Sequence, residues 1–383
     1  MLKEAELILI RRKLHQIPEL ALAEYQTQKL LLAEISKLPQ DYLEVRTVQE
    51  LPTAIFVRVR GSNPEKTIGY RADMDALPVD EQLRSSFISQ IDGQMHACGH
   101  DFHMTVALGV LSHLSEHQPR NNFVFFFQPG EESQNGGKLA YDAGLFSGDF
   151  RPDEFFALHV NPALPAGTIG CNAGTLFAGT TEVNVDFHGT SGHAAFPHQA
   201  NDMIVAASQF ITQAQTIVSR NVNPTEGGVL SFGKMTAGTI RNVIAGEVRL
   251  EGTIRGFTQP MIELIGHRLK EVAAGIAVSF NAEVNVTLNQ GGYLPVVNDP
   301  HTTAAFISFM QNNSTIQFTQ TKAAMTGEDF GYLLAQIPGT MFWLGVGPTS
   351  SLHSATFNPN EAALQKGVTA FTKFIENYEE INQ

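Results

Sequence analysis

The sequence predicts a layered α/β domain into which a smaller ferredoxin-like (βαββαβ) lid domain is inserted. Three observations support this prediction. The chain has 383 residues, which is more than one hydrophobic core of about 250–300 residues accommodates. Helical periodicity alternates with short apolar runs in the first half, as is typical of α/β layers. From about residue 178 onward, the order of the elements becomes that of a ferredoxin-like unit.

The first half of the chain contains apolar, strand-like runs separated by helical repeats. The predicted strands cover residues 53–60, 67–70, 122–127 and 155–160, and the predicted helices cover residues 4–14, 27–38 and 102–114. Most residues with metal-binding or acid–base chemistry stand at the ends of these strands. Since ligands of open α/β sheets bind beyond the carboxyl ends of the strands, this placement predicts a functional site there.

The middle of the chain has a different pattern. Strands are predicted at 182–187, 228–232, 247–254 and 282–288, and helices at 202–218 and 261–276. After Gly291 the first pattern returns, with helices at 302–312 and 361–378 around a strand at 340–345. We therefore expect a discontinuous catalytic domain of residues 1–177 and 289–383, and a lid and dimerisation domain of residues 178–288.

Charge and composition argue against several classes of partner. The formal net charge is −13 without a block of like charges, so we expect no nucleic-acid partner. The N-terminal helical pattern lacks the apolar run of a signal peptide, and no later run is long enough to span a bilayer. Two cysteines, Cys98 and Cys171, are too few for a disulfide framework. We expect a cytoplasmic protein with no membrane partner.

The densest chemical signal is the segment MHACGHDFH, residues 95–103. Cys98 and His100 stand two residues apart around a glycine, a spacing that can direct a thiolate and an imidazole to one metal ion. The alternative for an isolated pair of this kind is a buried structural cysteine beside solvent-facing histidines. Neighbouring motifs therefore have to decide between the two interpretations.

Two acidic motifs follow predicted strands. Glu131 and Glu132 come after the apolar run 123–127, and one of them can bind a metal while the other takes a proton from water. A solvated acidic turn is the alternative for a bare glutamate pair. Asp73 and Asp75 follow the strand at 67–70, and side chains two residues apart face the same side if the strand continues.

Two single histidines complete the candidate metal centre. His159 ends a predicted strand, and His353 lies in the segment SLHSATFN. Each one alone is more typical of a hydrogen-bonded structural histidine. Combined with the cysteine, His100 and a glutamate, they provide enough ligands for two ions with open positions for water and substrate.

Several segments distributed over nearly the whole chain resemble one family, the amidohydrolase branch of the dinuclear zinc-peptidase superfamily. These segments are RADMDALP, MHACGHDFHM, QPGEES, ALHV, FHGTSGHAAFPHQAND, GTIRGF and MTGEDF. The branch includes aminoacylases, hippurate hydrolases, plant auxin-conjugate hydrolases and N-acetyldiaminopimelate deacetylases. The resemblance implies a zinc-peptidase-like catalytic domain that hydrolyses linear amides.

The resemblance also implies a role for each matching residue of the catalytic domain. Two divalent ions per subunit, which can be Zn, Mn, Co or Ni, would be held by Cys98, His100, Glu132, His159 and His353. Glu131 would be the general base that deprotonates water and later protonates the leaving amine. Asp75 matches an aspartate that orients a metal ligand. Asp73 replaces a histidine found in relatives, and this departure leaves open which aspartate matters more.

In the lid, the resemblance assigns three further residues to the substrate. His193 would stabilise the oxyanion in the active site of a neighbouring subunit, which implies a homodimer formed through the lid. Asn242 and Arg255 would bind the carboxylate of a small N-acyl amino acid. Within the branch, the segment HQIPEL, residues 15–20, together with FQPGEE, residues 127–132, and the lid, is nearest in pattern to the N-acetyldiaminopimelate deacetylases.

Three functions stay open on the sequence. The first is deacetylation of N-acetyl-LL-diaminopimelate in lysine and cell-wall precursor synthesis. The second is hydrolysis of another acyl-amino acid or of a dipeptide by the same architecture. The third is a non-enzymatic binding protein on this scaffold, which is disfavoured because every ligand position and the base Glu131 are present.

Overall fold

Helices and strands alternate along the chain, which confirms the predicted α/β fold class. The computed structural model describes residues 1–381. The helices are α1 (Glu4–His15), α2 (Tyr25–Ile35), α3 (His100–Glu116), α4 (Glu131–Gln134), α5 (Gly136–Asp142), α6 (Met203–Arg220), α7 (Gln259–Phe280), α8 (Pro300–Asn312), α9 (Phe330–Leu334) and α10 (Ala363–Ile381). Short 3-10 turns cover Gly148–Phe150 and Pro197–Gln199.

The strands are distributed along the whole described chain. They are β1 (Leu43–Arg46), β2 (Ile55–Val59), β3 (Thr67–Asp73), β4 (Asn122–Gln128), β5 (Glu154–Pro165), β6 (Ile169–Cys171), β7 (Gly174–Phe177), β8 (Gly179–His188), β9 (Gly192–His193), β10 (Gly228–Ala237), β11 (Val243–Ile244), β12 (Glu247–Gly256), β13 (Glu283–Asn289), β14 (Val296–Asn298), β15 (Phe318–Gln320) and β16 (Gly339–Gly347). No helix of residues 1–381 is long and apolar enough to cross a membrane.

The chain divides into two units. Unit 1 comprises Met1–Leu176, Val296–Lys322 and Asp329–Gln383, and unit 2 comprises Phe177–Pro295 and Ala323–Glu328. The predicted catalytic range 289–383 ends in residues 382 and 383, which lie outside the described part of the chain.

Unit 1 is built on an eight-stranded sheet with the order β1-β2-β4-β3-β5-β16-β6-β15. Its centre is parallel, since β3 runs parallel to both β4 and β5, and β5 runs parallel to β16. Every residue of β3 and β16 is buried, as expected for parallel strands that are covered on both faces. The carboxyl ends of β3 and β4 meet at one edge, where Asp73 pairs with Gln128.

The two faces of this sheet pack against different layers because strand side chains alternate. Phe125 of β4 belongs to the core that the sheet shares with α1, α3, α8 and α10. Its neighbour Phe126 faces the other side, where it stacks on Phe56 at 4.7 Å between ring centroids and contacts Phe146. Unit 1 is therefore a three-layered structure with the sheet in the middle.

Helix α3 crosses the core of unit 1, and nearly all of its residues are buried. It begins directly after Gly99, whose φ of +87° is a left-handed conformation. A Cβ atom at Gly99 would lie 2.5 Å from Cγ2 of Val160. Glycine is required here on both counts. The tight turn places Cys98 and His100 at the N-terminal end of a rigid, buried helix.

Unit 2 has the element order β8-α6-β10-β12-α7-β13, with the short pair β9 and β11 in its connections. Its four-stranded antiparallel sheet has the order β10-β12-β8-β13, which is the strand arrangement of a ferredoxin-like unit. Helices α6 and α7 bury one face of the sheet, where Phe210 of α6 and Leu269 of α7 share a core with Val185 and Leu250 of the strands. Asp202 is the N-cap of helix α6, and its carboxylate accepts from two amides of the first turn.

The bounds of unit 2 extend past the predicted range 178–288. The amide of Thr180 donates to the carbonyl oxygen of Tyr293 at 2.9 Å, and the amide of Ala178 donates to that of Ala324 at 3.0 Å. These bonds attach residues 289–295 and 323–328 to β8 and its N-terminal side. Neither segment has a helical or strand periodicity, so the sequence did not indicate that they belong to unit 2.

Candidate metal centre

Cys98, His100 and His159 form a first group of candidate metal ligands in unit 1. Their donor atoms lie within 4.8 Å of one another, and all three side chains are buried. Sγ of Cys98 lies 3.5 Å from Nε2 of His159. Nδ1 of His159 donates to the carbonyl oxygen of Val160 at 2.9 Å, so Nε2 is the unprotonated nitrogen of the neutral ring. A thiol and an imidazole lone pair therefore face each other.

Cys98 also belongs to a second group, with Glu132 and His353. Nε2 of His353 lies 3.5 Å from Oε1 of Glu132. The φ of His353 is +63°, a conformation that is costly for a residue with a side chain and that concentrates at functional sites. Its amide donates to the carbonyl oxygen of Ala97 at 2.9 Å. This bond ties the C-terminal loop to the loop that carries Cys98.

Asp75 connects the glutamate pair to His100. Its Oδ1 accepts from the amide of Glu131 at 3.0 Å, and its Oδ2 accepts from the amide of Glu132 at 2.9 Å. The same Oδ1 lies 3.4 Å from Nδ1 of His100. On the other side of the ring, Nε2 lies 3.9 Å from Glu131 and 3.8 Å from Glu132. Asp75 thus positions both glutamates through their amides and lies beside the imidazole of His100, as carboxylates beside metal ligands do.

Asp73 has different partners. Its Oδ2 accepts from Nη1 of Arg71 at 2.7 Å, and its Oδ1 lies 2.5 Å from Nδ1 of His103. The amide of Val160 donates to Nε2 of His103 at 3.0 Å, so the neutral ring carries its proton on Nδ1 and donates it toward Asp73. Oδ2 of Asp73 also lies 3.6 Å from Nε2 of His100. The structure therefore brings Asp73 and His103 to the same centre.

A buried polar network lies beneath these residues. Arg71 donates from Nη2 to Asp329 and from Nε to Gln128, each at 2.9 Å. Gln128 donates to both carboxylate oxygens of Asp329 at 2.8 Å, and the amide of Gly137 donates to the same carboxylate at 2.9 Å. Fully hydrogen-bonded buried networks are rigid. This one fixes the carboxyl ends of β3 and β4, from which the acidic residues emerge.

The donor set and its charges fit a divalent metal ion. Among the described residues, neither ring nitrogen of His100 nor Oε1 of Glu132 has a hydrogen-bond partner, although all are buried. Burial opposes a charge on His100, but Asp73 and Asp75 outweigh it and raise its pKa to about 10. Burial and the charge of Glu132 raise the pKa of the Cys98 thiol. A cation would satisfy these atoms, and thiol, imidazole and carboxylate ligands suit zinc and related ions.

The predicted residues His193 and Asn242 lie together in unit 2. His193 is in β9, which pairs with β11, and the amide of Ala194 donates to the carbonyl oxygen of Asn242 at 3.1 Å. Nδ1 of His193 accepts from the amide of Ala195 at 3.1 Å. The neutral ring therefore carries its proton on Nε2, and the side chain is exposed.

Arg255 lies in another part of unit 2. The carbonyl oxygen of Gly246, just before β12, accepts from the amide of Gly189 at 2.8 Å, close in sequence to His193. Arg255 is nine residues further along, about 30 Å away in an extended strand. There it donates from Nη1 to the carbonyl oxygen of Met325 at 2.7 Å. Within unit 2, His193 and Asn242 are neighbours, whereas Arg255 is separate from them.

The model of the peptidase family M20/M25/M40 matches residues 69–377. This range contains the cysteine, the histidines and the carboxylates of the candidate centre. The chain belongs to peptidase family M20/M25/M40. This family agrees with the resemblance that the segments of the chain from RADMDALP to MTGEDF carry.

Relatives of this M20/M25/M40 family member cover nearly its whole length. It is 61% identical over 376 residues to the N-acetyldiaminopimelate deacetylase of Limosilactobacillus reuteri, covering 98% of this chain and 99% of the relative. It is 60% identical over 371 residues to the N-acetyldiaminopimelate deacetylase of Pediococcus pentosaceus, covering 97% of each. The crystal structure of the Bacillus subtilis YXEP protein, a dinuclear metal-binding peptidase from the M20 family, superimposes with a TM-score of 0.85 at 30% identity, over 98% of each chain.

Four residues beside the centre of this family member were not identified from the sequence. His103, Arg71, Gln128 and Asp329 stand inside segments that carried the resemblance, namely MHACGHDFHM, RADMDALP, QPGEES and MTGEDF. Each segment therefore offered a signal. The partners could not be inferred, because Arg71 and Asp329 are 258 positions apart.

Proposed function

We propose that this chain removes the acetyl group from N-acetyl-LL-diaminopimelate by metal-dependent hydrolysis, giving LL-diaminopimelate and acetate. The observation that carries the proposal is the convergence of Cys98, His100, Glu132 and His159 within unit 1, with Glu131 beside His100 and Glu132. The choice of substrate rests on the relatives that are about 60% identical over nearly the whole chain. The reaction would serve lysine and cell-wall precursor synthesis.

Two divalent ions would be held by Cys98, His100, Glu132, His159 and His353. When bound, such ions polarise an amide carbonyl and make water more acidic. The two ligand groups share Cys98, which supports a pair of neighbouring ions. Zinc, manganese, cobalt and nickel all accept this combination of sulfur, nitrogen and oxygen ligands.

Glu131 is the group we propose for proton transfer. Its carboxylate takes a proton from the attacking water, whose oxygen forms the new bond to the acetyl carbon. The carbon–nitrogen bond then breaks, and Glu131 returns the proton to the departing amine, so it is unchanged at the end of the cycle. The position of Glu131 is set by Asp75, which accepts from its amide at 3.0 Å, and the side chain is almost fully buried.

Unit 2 would complete the site in a homodimer. His193 carries its imidazole proton on Nε2, the form that can donate to an oxyanion. We propose that it does so in the active site of a neighbouring subunit, and that Asn242 and Arg255 bind the substrate carboxylate. The separation of His193 from Arg255 within one unit 2 is compatible with their serving different subunits.

The test is a comparison of substrates with purified enzyme loaded in turn with zinc, manganese, cobalt or nickel. Acetate or acyl release is measured on N-acetyl-LL-diaminopimelate, N-acetyl-ornithine, N-acetyl-methionine, hippurate and a dipeptide. Polar pockets reject substrates that lack their partners by up to ~10⁴–10⁵ in kcat/KM, so N-acetyl-LL-diaminopimelate should be strongly preferred. The Glu131→Gln variant controls for contaminating hydrolases. Comparable kcat/KM on hippurate would instead indicate a general acyl-amino acid hydrolase.

A further inference from the structure

Three consecutive backbone amides at the start of α4 each donate to a buried carboxylate. Asp75 accepts from Glu131 and Glu132, at 3.0 and 2.9 Å. The preceding amide, of Gly130, donates to Oε1 of Glu24 at 2.9 Å. Glu24 lies far upstream, just before α2, and none of the segments that carried the family resemblance contains it. The turn of residues 130–132 is thus held by two carboxylates from different parts of the chain.

Glu24 joins two backbone positions that both have left-handed conformations. Oε1 accepts from the amide of Leu22 at 2.9 Å as well as from Gly130. Leu22 has a φ of +63° and Gly130 a φ of +70°. Left-handed residues other than glycine persist only where their surroundings fix them. A single oxygen atom of Glu24 therefore stabilises both sides of this contact.

The contact is also tightly packed, and its carboxylate is buried. A Cβ atom on Gly130 would lie 2.9 Å from Cδ2 of Leu22, so the two segments touch directly. Glu24 is fully buried, and its second oxygen accepts from Oγ1 of Thr53 at 2.7 Å. Without the Glu24 carboxylate, the buried amide of Gly130 and the part-buried amide of Leu22 would lose their acceptor. The turn would then have to move to find another.

We propose that Glu24 is a positioning residue that acts through the Gly130 amide to fix the carboxylates of Glu131 and Glu132. The inference rests on the proposed function, in which Glu131 transfers the proton and Glu132 binds metal. Glu24 itself does not touch the reacting atoms. A displacement of about 1 Å at a catalytic group can lower the rate by ~10²-fold, so a residue that fixes the turn has a measurable effect on kcat.

The chemistry of the three bonds predicts which replacement is tolerated. In Glu24→Gln, the amide oxygen can still accept from Leu22 and Gly130, while its NH₂ group donates to Oγ1 of Thr53, which can act as an acceptor. Burial and the charge of Asp75 raise the pKa of Glu24 to about 7. Much of Glu24 is therefore protonated and uncharged near neutral pH, and the uncharged glutamine side chain resembles this form. Glu24→Ala removes all three bonds, and Glu24→Asp withdraws the carboxylate by one methylene.

The matched control is Glu19, in the same segment. Its carboxylate accepts four hydrogen bonds, from the amides of Gln26 and Thr27, from Nε2 of Gln26 and from Oγ1 of Thr27, and none of these bonds reaches the 130–132 turn. Glu19→Ala therefore disturbs the segment before α2 to a similar extent. Any effect that this variant shares with Glu24→Ala is structural only.

The experiment measures kcat, KM and thermal midpoint for Glu24→Ala, Glu24→Gln, Glu24→Asp and Glu19→Ala, together with zinc affinity of the metal-free proteins by competition with a chromophoric chelator. We expect Glu24→Ala to lower kcat by ~10²-fold with little change in KM and to weaken zinc binding, whereas Glu24→Gln restores both. If Glu24→Ala does not fold, Glu24→Asp takes its place.

Two results would overturn the proposal: equal kcat and zinc affinity in the Glu24→Ala and Glu19→Ala variants, or a Glu24→Gln variant as impaired as Glu24→Ala. Zinc affinity needs no substrate, so it reports on the turn even when the wild type fails to hydrolyse any acetylated amino acid. Failure of the proposed function and failure of this inference are therefore distinguished by separate measurements.

Discussion

Arg71 donates from Nη1 to Oδ2 of Asp73 at 2.7 Å, and both side chains are fully buried. His103 occupies the other oxygen of the same carboxylate. Asp75, in contrast, accepts from the two amides of the turn that carries the glutamate pair and lies beside Nδ1 of His100. The two aspartates, which the sequence could not rank, therefore have different tasks. Asp73 stabilises the buried polar network beneath the centre, and Asp75 positions the functional groups of the centre.

The first prediction compares these aspartates. Asp73→Asn should lower the free energy of unfolding by about 2 kcal/mol or more, because the buried charge of Arg71 loses one of its partners. Asp75→Asn keeps one oxygen that can accept an amide and should affect kcat more than stability. Urea unfolding and steady-state kinetics measure the two effects. Asp80→Asn, at an exposed position, is the control. Stability of Asp73→Asn equal to that of the control contradicts this division of tasks.

The second prediction separates proton transfer from metal binding. Glu131→Gln should leave metal content near two ions per chain and lower kcat by at least ~10², because glutamine cannot accept the proton of water. Glu132→Gln, the neighbouring replacement, should lose metal as well as activity, since a neutral amide is a weaker ligand than a carboxylate. Elemental analysis and kcat are measured on the same preparations. Activity retained in Glu131→Gln removes it from the role of base.

Long buried elements were predictable from the sequence because their periodicity is strong. The apolar run that becomes β4, residues 122–128, is buried on both faces, and α3 follows the helical pattern predicted at 102–114. Strands β9 and β11 have two residues each, too few to show any alternation. The two strands pair with each other, because the rest of unit 2 holds them side by side.

The candidate centre was predictable as a set of residues but not as a geometry. Cys98 and His100 share one segment, so their proximity follows from the spacing alone. The partner of Gly130 could not be inferred, since Glu24 is 106 positions away and accepts a backbone amide, which leaves no trace in the side chains of the turn. Hydrogen bonds from the backbone to distant side chains are therefore the part of a site that sequence motifs describe least well.

The third prediction concerns the metal ligands. Cys98→Ser and His353→Ala should each reduce the metal bound after dialysis, because loss of a ligand weakens the site directly. Cys171→Ser is the matched control, since Cys171 is also buried but its sulfur contacts carbonyl oxygens of Asn172 and Met341 rather than the candidate ligands. Elemental analysis gives the ratio of metal to protein. Wild-type metal content in both ligand variants would show that the assignment is wrong.

The last prediction is a pH dependence of stability in the metal-free protein. Burial, followed by the charge of Asp75, raises the pKa of Glu24 from 4.5 to about 7. The folded protein therefore binds this proton more tightly than the unfolded chain does. The resulting contribution to stability is fully present below about pH 4.5 and is lost as the pH rises through about 7. At most it amounts to about 3 kcal/mol.

Glu24→Gln has no proton to lose at this position, so its stability relative to the wild type should increase between pH 5 and pH 8. Urea unfolding in the presence of a chelator, at both pH values, measures the difference in the free energy of unfolding between the two proteins. The same comparison for Glu19→Gln corrects for the loss of a carboxylate from this segment. A difference for Glu24→Gln that is identical at pH 5 and pH 8 means that Glu24 titrates alike in the folded and unfolded chains, because only a pKa that changes on folding makes stability depend on pH.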